Sequence, residues 1–86
     1  MELENLIDSV FNAVDWVLDE LEEGEQYTLE EMVSMYNPLI WYTVISNHVQ
    51  YAVGKRFADA VHHGKFSPLR IADHTKNSIL YQLSDY

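Results

Sequence analysis

Tyr51, Lys55 and Arg56 are the residues of this chain whose types and spacing suggest chemistry. At helical spacing His48, Tyr51, Lys55, Asp59 and His62 fall on one face. Lysine and arginine pair with phosphate oxygens and with base edges, and tyrosine reaches either, so such a face suits a polyanion. Asn47 stands at the start of the same segment, and Arg70, Lys76 and Asn77 follow in the last third of the chain. The plainer reading is a solvated helix face on which Lys55 and Asp59 make an i,i+4 pair in its weaker orientation. Lys76 and Asn77 taken alone read as an ordinary polar turn.

Other chemistries lack their residues. His62 and His63 are adjacent, so on a helix their side chains point about 100° apart and do not suit one metal ion. His48 and His62 share a face but lie about 21 Å apart along it, at 1.5 Å of rise per residue. The H-x-x-x-H spacing is missing, and the chain has no cysteine. Neither a Gly-rich phosphate loop nor a nucleophile elbow is present, and the carboxylates Asp8, Asp15, Asp19 and Glu22 follow the outer surface of one helix. We therefore expect no metal, no cofactor and no enzymatic activity. Protonation of the histidines near the cationic face would strengthen polyanion binding at acid pH, while surface histidines without a role are the simpler alternative.

The charge is divided along the chain. Of the fourteen carboxylates eleven lie in residues 1–31, which hold no Lys or Arg, while all five basic residues and all four His come after position 47. A net charge of -9 thus hides a slightly basic second half, and binding to nucleic acid must use one local face rather than overall attraction. Eighty-six residues, 48% of them hydrophobic, suffice for one domain over 1–86 and no more. The absence of cysteine, of a signal-peptide pattern and of an eighteen-residue apolar run predicts a cytoplasmic protein off the membrane.

Apolar residues at Leu3, Leu6, Ile7, Val10, Phe11, Val14, Val17, Leu18 and Leu21 predict a long helix over residues 3–21, ended by Gly24 at C′. Thr28 and Glu31 form a capping box, with Tyr27 and Met32 at the staple positions, so a helix starts at Leu29 behind an extended segment 25–27. Asn37-Pro38 reads as N-cap and N1 of a short element over 39–45, whose Ile40, Trp41, Tyr42 and Val44 suit the core. Ser46 or Asn47 caps a last helix running to His63 before Gly64. Its Val49, Val53, Phe57, Ala60 and Val61 share the face opposite Lys55. Two β-rich runs, 69–71 and 79–83, flank a polar loop over 73–77 and predict a hairpin.

Helix, short strand, short helix, turn, helix and hairpin is the element order of a winged helix-turn-helix, an α+β and mostly helical fold with a long N-terminal helix and a C-terminal two-stranded wing. Residues 1–24 supply the acidic helix, 25–64 the strand and helix-turn-helix, and 65–86 the wing. The segment Tyr27-Thr28-Leu29 through Val33, then Trp41, then Val53-Gly54-Lys55-Arg56-Phe57 with Val61 and Gly64, resembles a family of small stand-alone winged-helix proteins of Firmicutes chromosomes, plasmids and phages. Most of that family is described only as a domain of unknown function. The resemblance, over roughly residues 25–83, implies the fold and a tendency to bind DNA; the acidic first helix departs from an ordinary DNA-binding member.

Trp16 is the odd residue of the first helix, projecting opposite the apolar stripe among Asn5, Asn12, Asp19 and Glu23. It is either an interface anchor, with Asn12, Asp19, Glu20 and Glu23 around it, or the second buried side of a helix that crosses the domain. Two functions follow. The first is a small transcriptional regulator binding double-stranded DNA as a homodimer through its first helix, with Asn47, His48, Tyr51, Lys55, Arg56, Arg70, Lys76 and Asn77 supplying contacts. The second is an acidic interaction module, or a phage- or plasmid-encoded inhibitor, that binds a basic protein partner.

Overall fold

The apolar positions Leu6, Ile7, Val10, Ala13, Val14 and Val17 recur on one side of a helix, and all are buried on α1 (Leu3–Val17). This computed structural model describes residues 3–42, 47–75 and 78–83. The apolar rhythm continues to Leu21, yet the α-helix stops earlier. The chain tightens into a 3-10 turn over Leu18–Glu20 and is extended at Leu21. The last turn of α1 holds no basic residue, and Asp19, Glu20, Glu22 and Glu23 crowd the negative end of its dipole, which disfavours further α-helical turns. Gly24 does not cap α1 directly. It takes a φ of +87° in the following turn, where the Glu25 N–H donates to the Glu22 carbonyl at 3.2 Å.

After β1 (Gln26–Tyr27), the capping box at the start of α2 (Leu29–Tyr36) is complete. Thr28 Oγ1 accepts from the Glu31 N–H at 3.1 Å, and Glu31 Oε1 accepts from the Thr28 N–H at 2.8 Å. Asn37 then serves two helices. Its N–H donates to the Val33 carbonyl at 2.9 Å, closing α2, and its Oδ1 accepts from the Leu39 N–H at 3.0 Å, opening α3 (Pro38–Tyr42). The rest of the element expected over 39–45, with Val44, and the Ser46 cap lie outside the described residues.

The next helix, α4 (Asn47–His62), ends one residue short of the expected His63 in a Schellman motif. Gly64, at φ +84°, donates its N–H to the Val61 carbonyl, and Lys65 donates to Ala60, both at 3.0 Å. A side chain with a Cβ would be strained at that φ.

The hairpin is longer and its loop shorter than the polar run 73–77 suggests. Asp73 and His74 belong to β2 (Leu69–His74) and pair with Leu80 and Ile79 of β3 (Ile79–Leu83), because Ala72 is an extra residue that bulges between the Ile71–Tyr81 and Asp73–Leu80 pairs. Thr75 closes the turn. Its N–H donates to the Ser78 carbonyl at 2.7 Å, and its Oγ1 accepts from the Ser78 N–H at 2.9 Å. On the other side of β3, Gln26 and Tyr27 pair antiparallel with Gln82 and Tyr81, so the sheet order is β1-β3-β2.

Helices and sheet meet in one core, centred on an aromatic group. Phe57 of α4 lies 5.0 Å from both Phe66 and Tyr81 and 5.9 Å from Phe11, ring centre to ring centre. Phe11 also meets Phe66 edge-on at 5.3 Å. Pairs of this geometry add about 0.5–1.5 kcal/mol each beyond the area they bury. Because Phe57 and Tyr81 belong to α4 and β3, the cluster fixes the helix against the hairpin. The protein is α+β and mostly helical, with the long first helix, helix-turn-helix order and two-stranded wing of the winged-helix arrangement.

Candidate nucleic-acid interface

Amphipathic spacing sets the two faces of α4. Val53, Phe57 and Val61 are buried and Val49 and Ala60 pack against the core, while His48, Tyr51, Lys55, Asp59 and His62 are all exposed. Tyr51 is 74% exposed, a large value for an aromatic residue with no packing role. The Lys55–Asp59 pair expected of a merely solvated face is not formed; the one salt bridge among the described residues is elsewhere.

That bridge holds Arg56. Its Nη1 and Nη2 donate to the two carboxylate oxygens of Glu4 on α1 at 3.3 and 3.2 Å. Lys55 and Arg56 are neighbours in sequence and diverge by about 100° on the helix, so only Lys55 shares the face of Tyr51 and His48. Arg70 is exposed on β2, opposite Gln82. The side chain of Asn47, together with Lys76 and Asn77, lies outside the described residues. Of the candidate contacts, the structure therefore brings His48, Tyr51 and Lys55 together on α4, sets Arg70 on the hairpin, and turns Arg56 toward α1.

Between the exposed side of α4 and the hairpin runs an open groove of about 750 Å³. Tyr51 and Gly54 line it from α4, Glu30 from the start of α2, Trp41 from α3, and His74 and Ile79 from the hairpin. Trp41 is thus half core and half groove wall rather than a core residue. Sequence reading missed this groove, which needs three helices and the hairpin in their final places. One signal for it was available: Gly54 stands in the middle of a helix, where an added Cβ would meet nothing within 4 Å. Packing does not require that glycine. Its effect is to keep the groove wall low beside Tyr51.

Tyr81, at the inner edge of the groove, is 2% exposed, and burial pushes its hydroxyl up to about 12. It stays neutral at physiological pH. Lys65, just past α4, rests its ammonium 5.9 Å from the Phe11 ring centre and 6.0 Å from that of Phe66, partly committed to the aromatic cluster. His63 is also engaged, donating from Nδ1 to the Asp59 carbonyl at 2.7 Å, and its ring meets His62 edge-on at 5.6 Å.

Trp16 is 71% exposed, so α1 does not bury both its sides. Its ring lies 6.3 Å from that of Tyr36 at the end of α2, tilted by 31°, and Tyr36 is itself 48% exposed. Tyr36 carries no signal in the sequence that would join it to Trp16; only the packing of α1 on α2 does so. Asn12, Asp19, Glu20 and Glu23, near Trp16 in sequence, are exposed.

No protein-family model and no curated protein sequence matches the chain. Among solved structures the chain is similar to one described as the SCCmec type IV nucleic-acid-binding protein LP1413, with 25% identity, a TM-score of 0.62, and coverage of 92% of this chain and 94% of the other.

Proposed function

We propose that this protein binds double-stranded DNA as a small transcriptional regulator, laying the exposed face of α4 against the major groove and the hairpin along the adjoining backbone. The observation that carries the reading is the pairing of an exposed Tyr51 and an unengaged Lys55 on α4 beside a groove walled by the hairpin. Similarity over nearly the whole chain to a nucleic-acid-binding protein supports it. In this reading His48, Tyr51 and Lys55 face the bases, Arg70, Lys76, Asn47 and Asn77 face phosphates, and Arg56 has the smaller part. The protein works by binding rather than catalysis, in the cytoplasm. Two copies bind side by side on paired half-sites, since one module buries too little DNA for useful specificity. The family of small winged-helix proteins that the sequence resembles is its proposed home.

The test is anisotropy of a labelled random duplex, with the matching single strand alongside, over a range of salt. With Arg70 and Lys76 on phosphates, log K should fall against log salt with a slope of about -2 for each bound copy. Lys55→Glu should abolish binding with the melting temperature unchanged. Equal duplex affinity in that variant, or no duplex binding even at low salt, would overturn the proposal.

A further inference from the structure

The Trp16 and Tyr36 rings meet in the open, and further exposed apolar residues follow Tyr36 or precede it in sequence. Met35 is 43% exposed beside Tyr36, and Leu39, three positions further along the chain, is 67% exposed. The strip runs over the ends of α1 and α2 and the start of α3, and it shares no residue with the groove beside α4. Exposed aromatic and aliphatic groups on adjoining elements mark binding surfaces, and tryptophan and tyrosine are over-represented among residues that carry binding energy.

The charge around the strip decides what covers it. Asp19 and Glu20 follow Trp16 at i+3 and i+4, Glu22 and Glu23 come in the next turn, and none of the four has a cationic partner among the described residues. A second copy docked by two-fold symmetry on Trp16 would set these carboxylates against their own equivalents, adding repulsion between two chains that each carry -9. A cationic segment meets no such opposition. Its guanidinium or ammonium groups would pair with Asp19, Glu20 and Glu23 and lie on the Trp16 ring, while its apolar residues cover Tyr36 and Leu39.

We propose that the Trp16–Tyr36 strip docks a different protein through an Arg/Lys-rich segment with interspersed apolar residues, leaving the α4 face free for nucleic acid. The inference does not depend on the DNA reading, because the two surfaces are separate.

The test titrates the full chain with a synthetic peptide of alternating arginine and leucine, following the Trp16 indole N–H resonance, with an alternating glutamate and leucine peptide as control. The cationic peptide should shift the Trp16 signal saturably, and the acidic one should not. Trp16→Ala should weaken peptide binding at least tenfold while duplex affinity stays the same. Asp19→Asn/Glu20→Gln/Glu23→Gln should weaken it more than removal of the same charge elsewhere, as Asp8→Asn/Glu25→Gln/Asp73→Asn. Equal peptide affinity in Trp16→Ala, or equal loss in the two charge variants, would mean general attraction to an acidic protein and overturn the proposal. So would a Trp16 shift that follows protein concentration without peptide, which would identify a second copy as the occupant.

Discussion

Arg56 of α4 clasps Glu4 of α1 through both terminal guanidinium nitrogens and both carboxylate oxygens, at 3.3 and 3.2 Å. The contact joins the first helix to the middle of the helix proposed to read DNA, and it spends on the protein a cation that sequence alone assigns to the ligand. Both side chains are more than half exposed, so the bridge contributes no more than about 1 kcal/mol. Two adjacent cations should therefore behave differently. Lys55→Glu should cost far more duplex affinity than Arg56→Glu, whereas Arg56→Ala should lower the urea midpoint slightly and Lys55→Ala not at all. Equal binding losses from the two glutamate variants would show that Arg56 leaves Glu4 when DNA binds.

The Tyr81 hydroxyl gives stability a dependence on alkaline pH. Its folded value of about 12 lies above the unfolded value near 10, so the neutral form is favoured in the folded state. The associated stability is intact below pH 10 and is lost as pH rises through about 12, by roughly 2–3 kcal/mol in all. Tyr81→Phe should flatten this part of the pH profile while keeping the ring against Phe57. Denaturant unfolding of both chains between pH 9 and 12 reads the difference directly, and parallel profiles would refute the assignment.

Two glycines should respond to alanine with opposite signs. At Gly54 the helix is regular and an added Cβ meets nothing, so Gly54→Ala should stabilise by about 1 kcal/mol. At Gly64 the backbone is left-handed, so Gly64→Ala should destabilise by roughly 1 kcal/mol. Melting temperatures that move together would contradict the conformations described.

Phe57 touches three aromatic rings from three other parts of the chain. Phe57→Ala should cost about 3–5 kcal/mol, much of the stability of a domain this small. A loss nearer 1 kcal/mol, measured by urea unfolding, would mean that the rings do not pack around it as described.

Local signals in the sequence fared best where one short stretch contained both partners. Thr28 and Glu31 are three residues apart and Asn37 caps its own neighbours, so these helix starts were legible. The exposed face of α4 was legible for the same reason, since helical spacing alone defines it. The end of α1 was not, because apolar Leu18 and Leu21 continue the rhythm while the carboxylates around them oppose the helix. Ala72 hid the true length of β2, as a bulge shifts alternation by one and makes Asp73-His74 look like loop. Trp16 and Tyr36, the groove, and the turning of Arg56 toward Glu4 depend on tertiary placement, which spacing does not encode.

The strand order β1-β3-β2 makes the last strand the middle one. Neither Gln26-Tyr27 nor the Leu69–His74 strand can complete its pairing until residues 79–83 have been made, and Gln26 must find Gln82 across 56 positions. On the ribosome the helices can form and collapse early, but Phe57 waits for Tyr81 to close its shell. Completion of the fold should therefore be a late event governed by long-range closure, with the side of the core that Tyr81 covers left open until the middle strand emerges.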